Sequence, residues 1–141
     1  MLFIKQSKEV EALGLSKNNL GSFGGEEILG SDVGKALANA LCKNNILTSL
    51  DLYLNHLGSE GGIAISNALH KNNSLIFLDL SYNGLGLLGG NAVVNALCNN
   101  NTLTIIGLSS NELGSNMGKA LAVALCKNTS LTFKSFKQLS W

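Results

Sequence analysis

The sequence predicts an α/β solenoid, in which short parallel strands alternate with helices and successive turns of chain stack on one another. Three segments repeat without a gap, beginning at Leu47, Leu75 and Leu103, so the period is 28 residues. Each segment has leucine or isoleucine in the spacing LxxLxL in its first half and apolar residues at helical spacing in its second half. One such unit cannot bury its apolar side alone, whereas stacked units share a continuous core.

The composition is that of a folded chain with few charges. Apolar residues make up 45% of the 141 residues and charged residues 13%, which argues against disorder. The net charge is +1 and all ten cations are lysines, so we expect no nucleic-acid binding. Leu2 to Ile4 form too short an apolar run for an export signal, and no stretch is long enough to cross a bilayer. These features predict a cytoplasmic protein without membrane association.

Cysteine usage points the same way. The sequence has three cysteines, an odd number, in a chain for which we expect no export. A disulfide framework is therefore not predicted, and a reducing compartment is.

The two halves of a repeat predict different elements. In the copy that starts at Leu47, the spacing of Leu47, Leu50 and Leu52 is that of a short strand with alternate residues inward. In the second half of the same copy, Ile65 and Leu69 are spaced as on one face of a helix, together with Ala68. Three asparagines suit a left-handed residue at the helix end: Asn72, Asn100 and Asn128.

The ends of the array depart from the period. A first copy begins at Val10, 37 residues before Leu47, and its nine extra residues are expected to bulge from the edge opposite the strand or to lengthen the first helix. A truncated copy begins at Leu131. We predict one domain over 1–141, with residues 1–9 as an N-terminal cap. The last segment, LTFKSFKQLSW, is either a C-terminal cap or the point at which a longer array was cut.

The consensus LxxLxLxxNxLGxxGxxxLxxALxxNxS resembles the ribonuclease-inhibitor class of leucine-rich repeats over about Val10 to Leu131. The resemblance implies a right-handed horseshoe, with a parallel sheet on the concave face and helices on the convex face. Similar repeats occur in ribonuclease inhibitor, Ran GTPase activators, innate immune receptors and effectors of intracellular bacteria. The implied function is a curved protein-binding scaffold, although a fold alone does not fix a function.

The most regular polar feature is a column of asparagines one repeat apart. An asparagine amide both donates and accepts hydrogen bonds, so it can satisfy loop backbone groups of neighbouring turns. We therefore assign this column, which we call the asparagine ladder, a structural role. Its members are Asn18, Asn55, Asn83 and Asn111.

Two patterns imitate ligand sites. Cysteine and histidine are zinc ligands and share one column, made of Cys42, His70, Cys98 and Cys126. Helix axes lie about 8–10 Å apart, too far for four ligands around one ion, so we expect small buried apolar cysteines instead. Recurrent glycines such as those of LGSEGG lack the lysine of a phosphate-binding loop and suit tight strand-to-helix turns. We expect no metal, no cofactor, no small-molecule substrate and no catalytic residues.

Strand positions that face away from the core carry the functional information, because packing does not dictate their identity. Large side chains gather there on the middle repeats, flanked by aspartates. Exposed aromatic groups bordered by polar ones mark interfaces; alternatively, aromatic and β-branched residues simply suit a sheet surface. The predicted partner-binding residues are Ser49, Asp51, Tyr53, Leu54, Phe77, Asp79, Tyr82 and Ile105.

Asp51 and Asp79 are predicted neighbours on adjacent strands, about 4.8 Å apart. Like charges at that distance repel mildly, and a basic group from a partner would relieve the repulsion. The alternative is a pair of well-solvated carboxylates without a binding role.

These features together predict a non-enzymatic module that binds a partner protein with its concave sheet, such as a bacterial effector or a receptor fragment. Two alternatives remain from other classes. One is a GTPase activator of the Ran type, which needs no catalytic pocket of its own. The other is a structural repeat that assembles through the ends of its solenoid.

Overall fold

The computed structural model describes residues 11–18 and 28–131, without the side chains of Ile28 and Leu29. In these ranges strands and helices alternate along the chain, as the repeat predicts. The order is β1 (Ala12–Gly14), α1 (Ile28–Lys43), β2 (Ser49–Asp51), α2 (Gly58–Leu69), β3 (Phe77–Asp79), α3 (Gly86–Leu97), β4 (Ile105–Gly107) and α4 (Met117–Lys127). This is an α/β solenoid of stacked strand–helix turns.

The four strands form one parallel sheet in sequence order, β1-β2-β3-β4. Their register repeats the sequence period, because Ser49 pairs with Phe77 and Phe77 pairs with Ile105. Helices of adjacent turns pack on one another, α1 on α2, α2 on α3 and α3 on α4. The contacts are therefore those of a one-dimensional stack, in which a turn touches only its neighbours.

The core lies between the sheet and the helices, where the two apolar spacings meet. Leu47, Leu50 and Leu52 of the second turn are fully buried. Ile65 and Leu69 of α2 close over them from the other side. The predictions of an inward strand face and an inward helix face are both confirmed.

The strands are shorter than the sequence suggested, with three residues each. Three positions beyond each strand the backbone turns left-handed, with φ of 59° at Lys17, 55° at Leu54, 58° at Tyr82 and 54° at Ser110. Residues other than glycine seldom adopt this region. Hydrogen bonds between turns still continue there, since the Tyr82 N–H donates to the Ser109 carbonyl at 2.9 Å. Tyr53, Leu54 and Tyr82 therefore lie in the loops after the strands, which corrects their predicted place on the strands.

The asparagine ladder is confirmed as a structural feature of these loops. The backbone N–H of Asn83 donates to Oδ1 of Asn111 at 2.9 Å. The Asn83 Nδ2 donates to the carbonyls of Leu52, one turn back, and of Leu80, at 2.8 and 3.0 Å. Asn55 makes the equivalent bonds one turn earlier, to Asn83, Leu15 and Leu52. Each turn is thus tied to both neighbours.

A second column of buried asparagines, the helix-end ladder, was not predicted as such. It consists of Asn44, Asn72, Asn100 and Asn128. Asn100 Nδ2 donates to the carbonyls of Leu69 and Asn72 in the preceding turn, at 2.9 and 3.2 Å. Its Oδ1 accepts from the Leu103 N–H at the start of the next strand, at 2.8 Å. The expectation of a left-handed backbone at these asparagines is wrong, since none of them has positive φ.

Glycines serve helix packing as well as turns. A Cβ on Gly34 of α1 would collide with the Cα of Gly61 in α2, so these helices approach more closely than any larger side chain allows. Gly62 and Gly90 also lie inside helices rather than in the strand-to-helix turns predicted for them. Left-handed turns do use glycine at Gly58 and Gly86, with φ of 68° and 59°.

The outer helices correct a second prediction. Cys42 and Cys126 are exposed and Cys98 is half-buried, so the expected burial of these small groups is wrong. The helix α1 has 16 residues against 12 in α2 and is longer by two residues at each end. Its length does not test the two expectations for the long first copy, whose extra residues precede Ile28.

Several predictions fall outside the described residues. They are the cap at 1–9, the extra residues of the first copy before Ile28, and the C-terminal segment after Leu131. Of the helices in residues 28–131, none is long and apolar enough to cross a membrane.

Candidate functional site

The candidate site is the open face of the sheet, by which we mean the side opposite the helices and the loops that continue it. The predicted residues fall into two groups on this face. The strand group is Ser49, Phe77 and Ile105, which are partners in the register of β2, β3 and β4. The loop group is Tyr53, Leu54 and Tyr82, in the loops after β2 and β3. The two groups lie at opposite ends of the strands, and the aspartates lie between them along the chain.

The strand group presents apolar surface at Phe77 and Ile105. Ile105 is 41% exposed, and Phe77 and Ser49 are half-buried. Ile76, which the sequence analysis missed, begins the same strand region and is 46% exposed. The sequence contained a signal for it, because the equivalent residues of the two neighbouring repeats are Thr48 and Thr104. An isoleucine among threonines at a solvent-facing position is not required by the core.

The aspartates have unequal environments. Asp51 and Asp79 are register partners, as predicted. In each, Oδ1 accepts a hydrogen bond at 2.9 Å from the backbone N–H two residues later, that of Tyr53 or Ser81. This contact is a local turn that orients the start of the loop. Asp51 is half-buried, whereas Asp79 is only 8% exposed.

Asp79 is buried because it leans over β4. A Cβ placed on Gly107 would lie 2.6 Å from Cγ of Asp79 and 2.9 Å from Oγ of Ser81. The space above Gly107 is therefore filled by these two side chains. The alternative of two well-solvated carboxylates is wrong for Asp79, and Asp51 is the accessible acid of the pair.

The loop group forms an aromatic cluster. The rings of Tyr53 and Tyr82 lie 5.2 Å apart between centroids with an interplanar angle of 57°. Lys17 places its Nζ 5.9 Å from the Tyr53 centroid, at the edge of cation–π range. Tyr82 remains 44% exposed and Leu54 is half-buried. Packing against Tyr53 pre-orders the Tyr82 ring while leaving much of it accessible.

The face combines apolar anchors, one accessible carboxylate and hydroxyl groups. Such a surface can bury a partner's apolar side chains and pair with a basic group. Among residues 11–18 and 28–131 no group of three or more histidine, cysteine or acidic side chains could hold a metal ion.

A second exposed apolar surface lies away from the open face. Leu87 and Leu88, in the first turn of α3, are 54% and 66% exposed. The equivalent residues one repeat later are Ser115 and Asn116. This pair was not among the predicted functional residues, although its contrast with the neighbouring repeat is visible in the sequence.

Comparison with known proteins agrees with this architecture. A family model described as a leucine-rich repeat matches residues 43–66 and 71–94, two segments that each contain one strand and the start of the next helix. No curated protein sequence matches the chain.

Among solved structures, one titled "Leiomodin-1 Actin-Binding Site 2 (ABS2)" is similar, with a TM-score of 0.74 and 22% identity. The match covers 88% of this chain and 68% of that one. At this identity the likeness concerns the fold. The repeat period, the register of the sheet and the family match over residues 43–66 and 71–94 together show that the chain contains leucine-rich repeats stacked in an α/β solenoid.

Proposed function

We propose that this protein is a non-catalytic interaction module that binds a partner protein through the open face of its sheet, on the concave side of a solenoid of the ribonuclease-inhibitor type. The observation that carries the proposal is the exposure of large apolar side chains there. Ile105 and Tyr82 are 41% and 44% exposed, although neither contributes to the core. Exposed apolar groups rimmed by polar ones are typical of protein-binding surfaces.

The proposed contact has two anchoring regions. A partner would bury apolar groups against Phe77 and Ile105 of the strand group, and others against Tyr82 of the loop group. Tyrosine is well suited to such a role, because it offers a large contact area with few rotatable bonds. The ring contact between Tyr53 and Tyr82 reduces the entropy that Tyr82 would lose on binding.

Between these regions the partner would present a basic side chain. Asp51 is the carboxylate best placed to receive it, because Asp79 is nearly buried beneath Ser81 and above Gly107. We propose that Asp79 instead stabilises the conformation of the loop that contains Ser81 and Tyr82. Its Oδ1 accepts the Ser81 N–H, which fixes the backbone immediately before Tyr82.

The similar structure adds support of a general kind. Its title describes an actin-binding site, so a protein of this fold serves in protein binding. The 22% identity does not carry the partner across, and actin is not inferred for this chain.

Two double variants separate the open face from the other exposed apolar surface. Tyr82→Ser with Ile105→Ser installs serines that occur at the equivalent positions, Ser110 one repeat later and Ser49 two repeats earlier. Leu87→Ser with Leu88→Asn likewise copies the following repeat. Quantitative affinity capture from cytosol should lose the partner with the first pair and keep it with the second. Capture that depends on the second pair alone would refute the open-face proposal.

A further inference from the structure

The asparagine ladder contains a chemically unusual member. Asn83 is followed by Gly84, and this is the single Asn–Gly pair in the sequence. The other ladder asparagines of the central turns precede His56 and Glu112. Asn–Gly is the dipeptide most prone to deamidation, because glycine has no side chain to hinder attack by its own backbone nitrogen.

The reaction is a cyclisation followed by hydrolysis. The Gly84 amide loses its proton, its nitrogen bonds to Cγ of Asn83, and the Cγ–Nδ2 bond breaks to release ammonia. Water then opens the resulting succinimide at either carbonyl, which leaves aspartate or isoaspartate at position 83. No reagent other than water is required.

The fold holds Asn83 against this reaction. Its side chain is fully buried, and Nδ2 donates to the carbonyls of Leu52, Leu80 and Ser81 at 2.8, 3.0 and 3.2 Å. Oδ1 accepts from the backbone N–H groups of Asn55 and Leu57 at 3.2 and 3.3 Å. Cyclisation would require the amide to leave all of these partners and turn toward the Gly84 nitrogen. The folded ladder therefore resists a reaction that the unfolded sequence favours.

The product would be incompatible with the ladder. A carboxylate at position 83 has no N–H to offer and would place its charge beside the Leu52 and Leu80 carbonyl oxygens. Isoaspartate would in addition insert an extra backbone carbon between the two left-handed residues Tyr82 and Gly84. Either product removes the three Nδ2 bonds to the carbonyls of Leu52, Leu80 and Ser81, of which the first joins this turn to the preceding one.

We infer that Asn83–Gly84 is a deamidation site masked by the fold, which converts a period of unfolding into a permanent loss of the native structure. The inference does not depend on the proposed binding function. It follows from the sequence of one dipeptide and from the hydrogen bonds of its first residue.

A matched variant isolates the dipeptide. Gly84→His copies His56, which holds a left-handed φ of 53° at the same position one turn earlier. A Cβ at Gly84 meets no atom within 4 Å, so the variant is expected to fold. It keeps every ladder asparagine and removes the unhindered glycine alone.

Wild type and Gly84→His are incubated at mildly alkaline pH, either folded or unfolded in urea, and are then returned to native buffer. Peptide mass spectrometry should show position 83 of the wild type modified at least about tenfold faster in urea than when folded. The fraction that refolds, measured by circular dichroism, should fall with the modified fraction in the wild type. It should fall much less in Gly84→His.

Three outcomes would overturn the inference. Equal modification of folded and unfolded wild type would show that the ladder gives no protection. Normal refolding of chains modified at position 83 would show that the ladder tolerates the product. Equal loss of refolding in Gly84→His would place the damage elsewhere in the chain.

Discussion

The backbone N–H of Asn55 donates to Oδ1 of Asn83, a residue 28 positions later, at 3.2 Å. This bond joins the same point of two consecutive repeats, and Asn83 repeats it toward Asn111. Removing one such asparagine therefore strands backbone groups of two turns in a buried setting.

Asn83→Ala should lower the free energy of unfolding by about 1–3 kcal/mol, because buried carbonyl and N–H groups lose their partners. Asn91→Ala is the matched control, since Asn91 is exposed on α3. Urea denaturation of both variants checks the prediction. Equal midpoints for the two would contradict the structural role of the asparagine ladder.

Asn100→Ala tests the helix-end ladder in the same way. Asn100 is 5% exposed and joins the end of one helix to the start of the next strand. We expect a loss of about 1–3 kcal/mol in the free energy of unfolding. Asn101→Ala, at the exposed neighbouring residue, should change it little. If Asn100→Ala changed the free energy of unfolding as little as Asn101→Ala, the helix-end ladder would not stabilise the fold.

Gly34→Ala probes the close approach of α1 and α2. The added Cβ would collide with the backbone of Gly61, which has no flexible end to move aside. Overpacking of this kind costs about 1–3 kcal/mol. Gly14→Ala, where a Cβ meets no atom within 4 Å, serves as the control. Thermal unfolding should show a lower Tm for Gly34→Ala and an unchanged Tm for Gly14→Ala. An unchanged Tm for Gly34→Ala would show that the two helices can separate at little cost in free energy.

The cysteine and histidine column is predicted to bind no metal. Cys42, His70 and Cys126 are exposed at the ends of α1, α2 and α4. In the described part of the chain no group of three or more histidine, cysteine or acidic side chains could hold a metal ion. Elemental analysis of the purified protein should find no stoichiometric zinc. A chelator that lowered the Tm would contradict this prediction.

The repeat predicted the fold because it contains both the residue spacing of a strand and that of a helix. Alternating leucines such as Leu50 and Leu52 specify a strand, and Ile65 with Leu69 specifies a helix face. The asparagine ladder was also predictable, since Asn55 and Asn83 recur where buried loop backbone needs partners.

The helix-end ladder was misjudged for a physical reason. Asparagine tolerates a left-handed backbone, and its buried side chain can also bond to backbone groups. The position of Asn72 at a helix end did not distinguish between these two roles. The left-handed residues other than glycine lie instead in the loops after the strands, among them Leu54 and Tyr82. Because closure of each turn requires positive φ at these positions, the residue types found there do not predict it.

The candidate site was predictable in part. The strand period placed Phe77 beside Ile105 and Asp51 beside Asp79 in the correct register. The unequal burial of the aspartates was not predictable, because it depends on Gly107 leaving room for one of them.

The dissociation constant of the captured partner, measured by calorimetry, tests the open-face proposal most directly. Aromatic anchors at interfaces commonly contribute about 2 kcal/mol or more, and about 1.4 kcal/mol is tenfold in affinity. Tyr82→Ser with Ile105→Ser should therefore weaken binding at least about tenfold while circular dichroism shows an intact fold. Leu87→Ser with Leu88→Asn, and Lys71→Ala on the outer side, should leave the dissociation constant unchanged. If the Tyr82 and Ile105 substitutions left the affinity unchanged and the Leu87 and Leu88 substitutions lowered it, the open-face proposal would be contradicted.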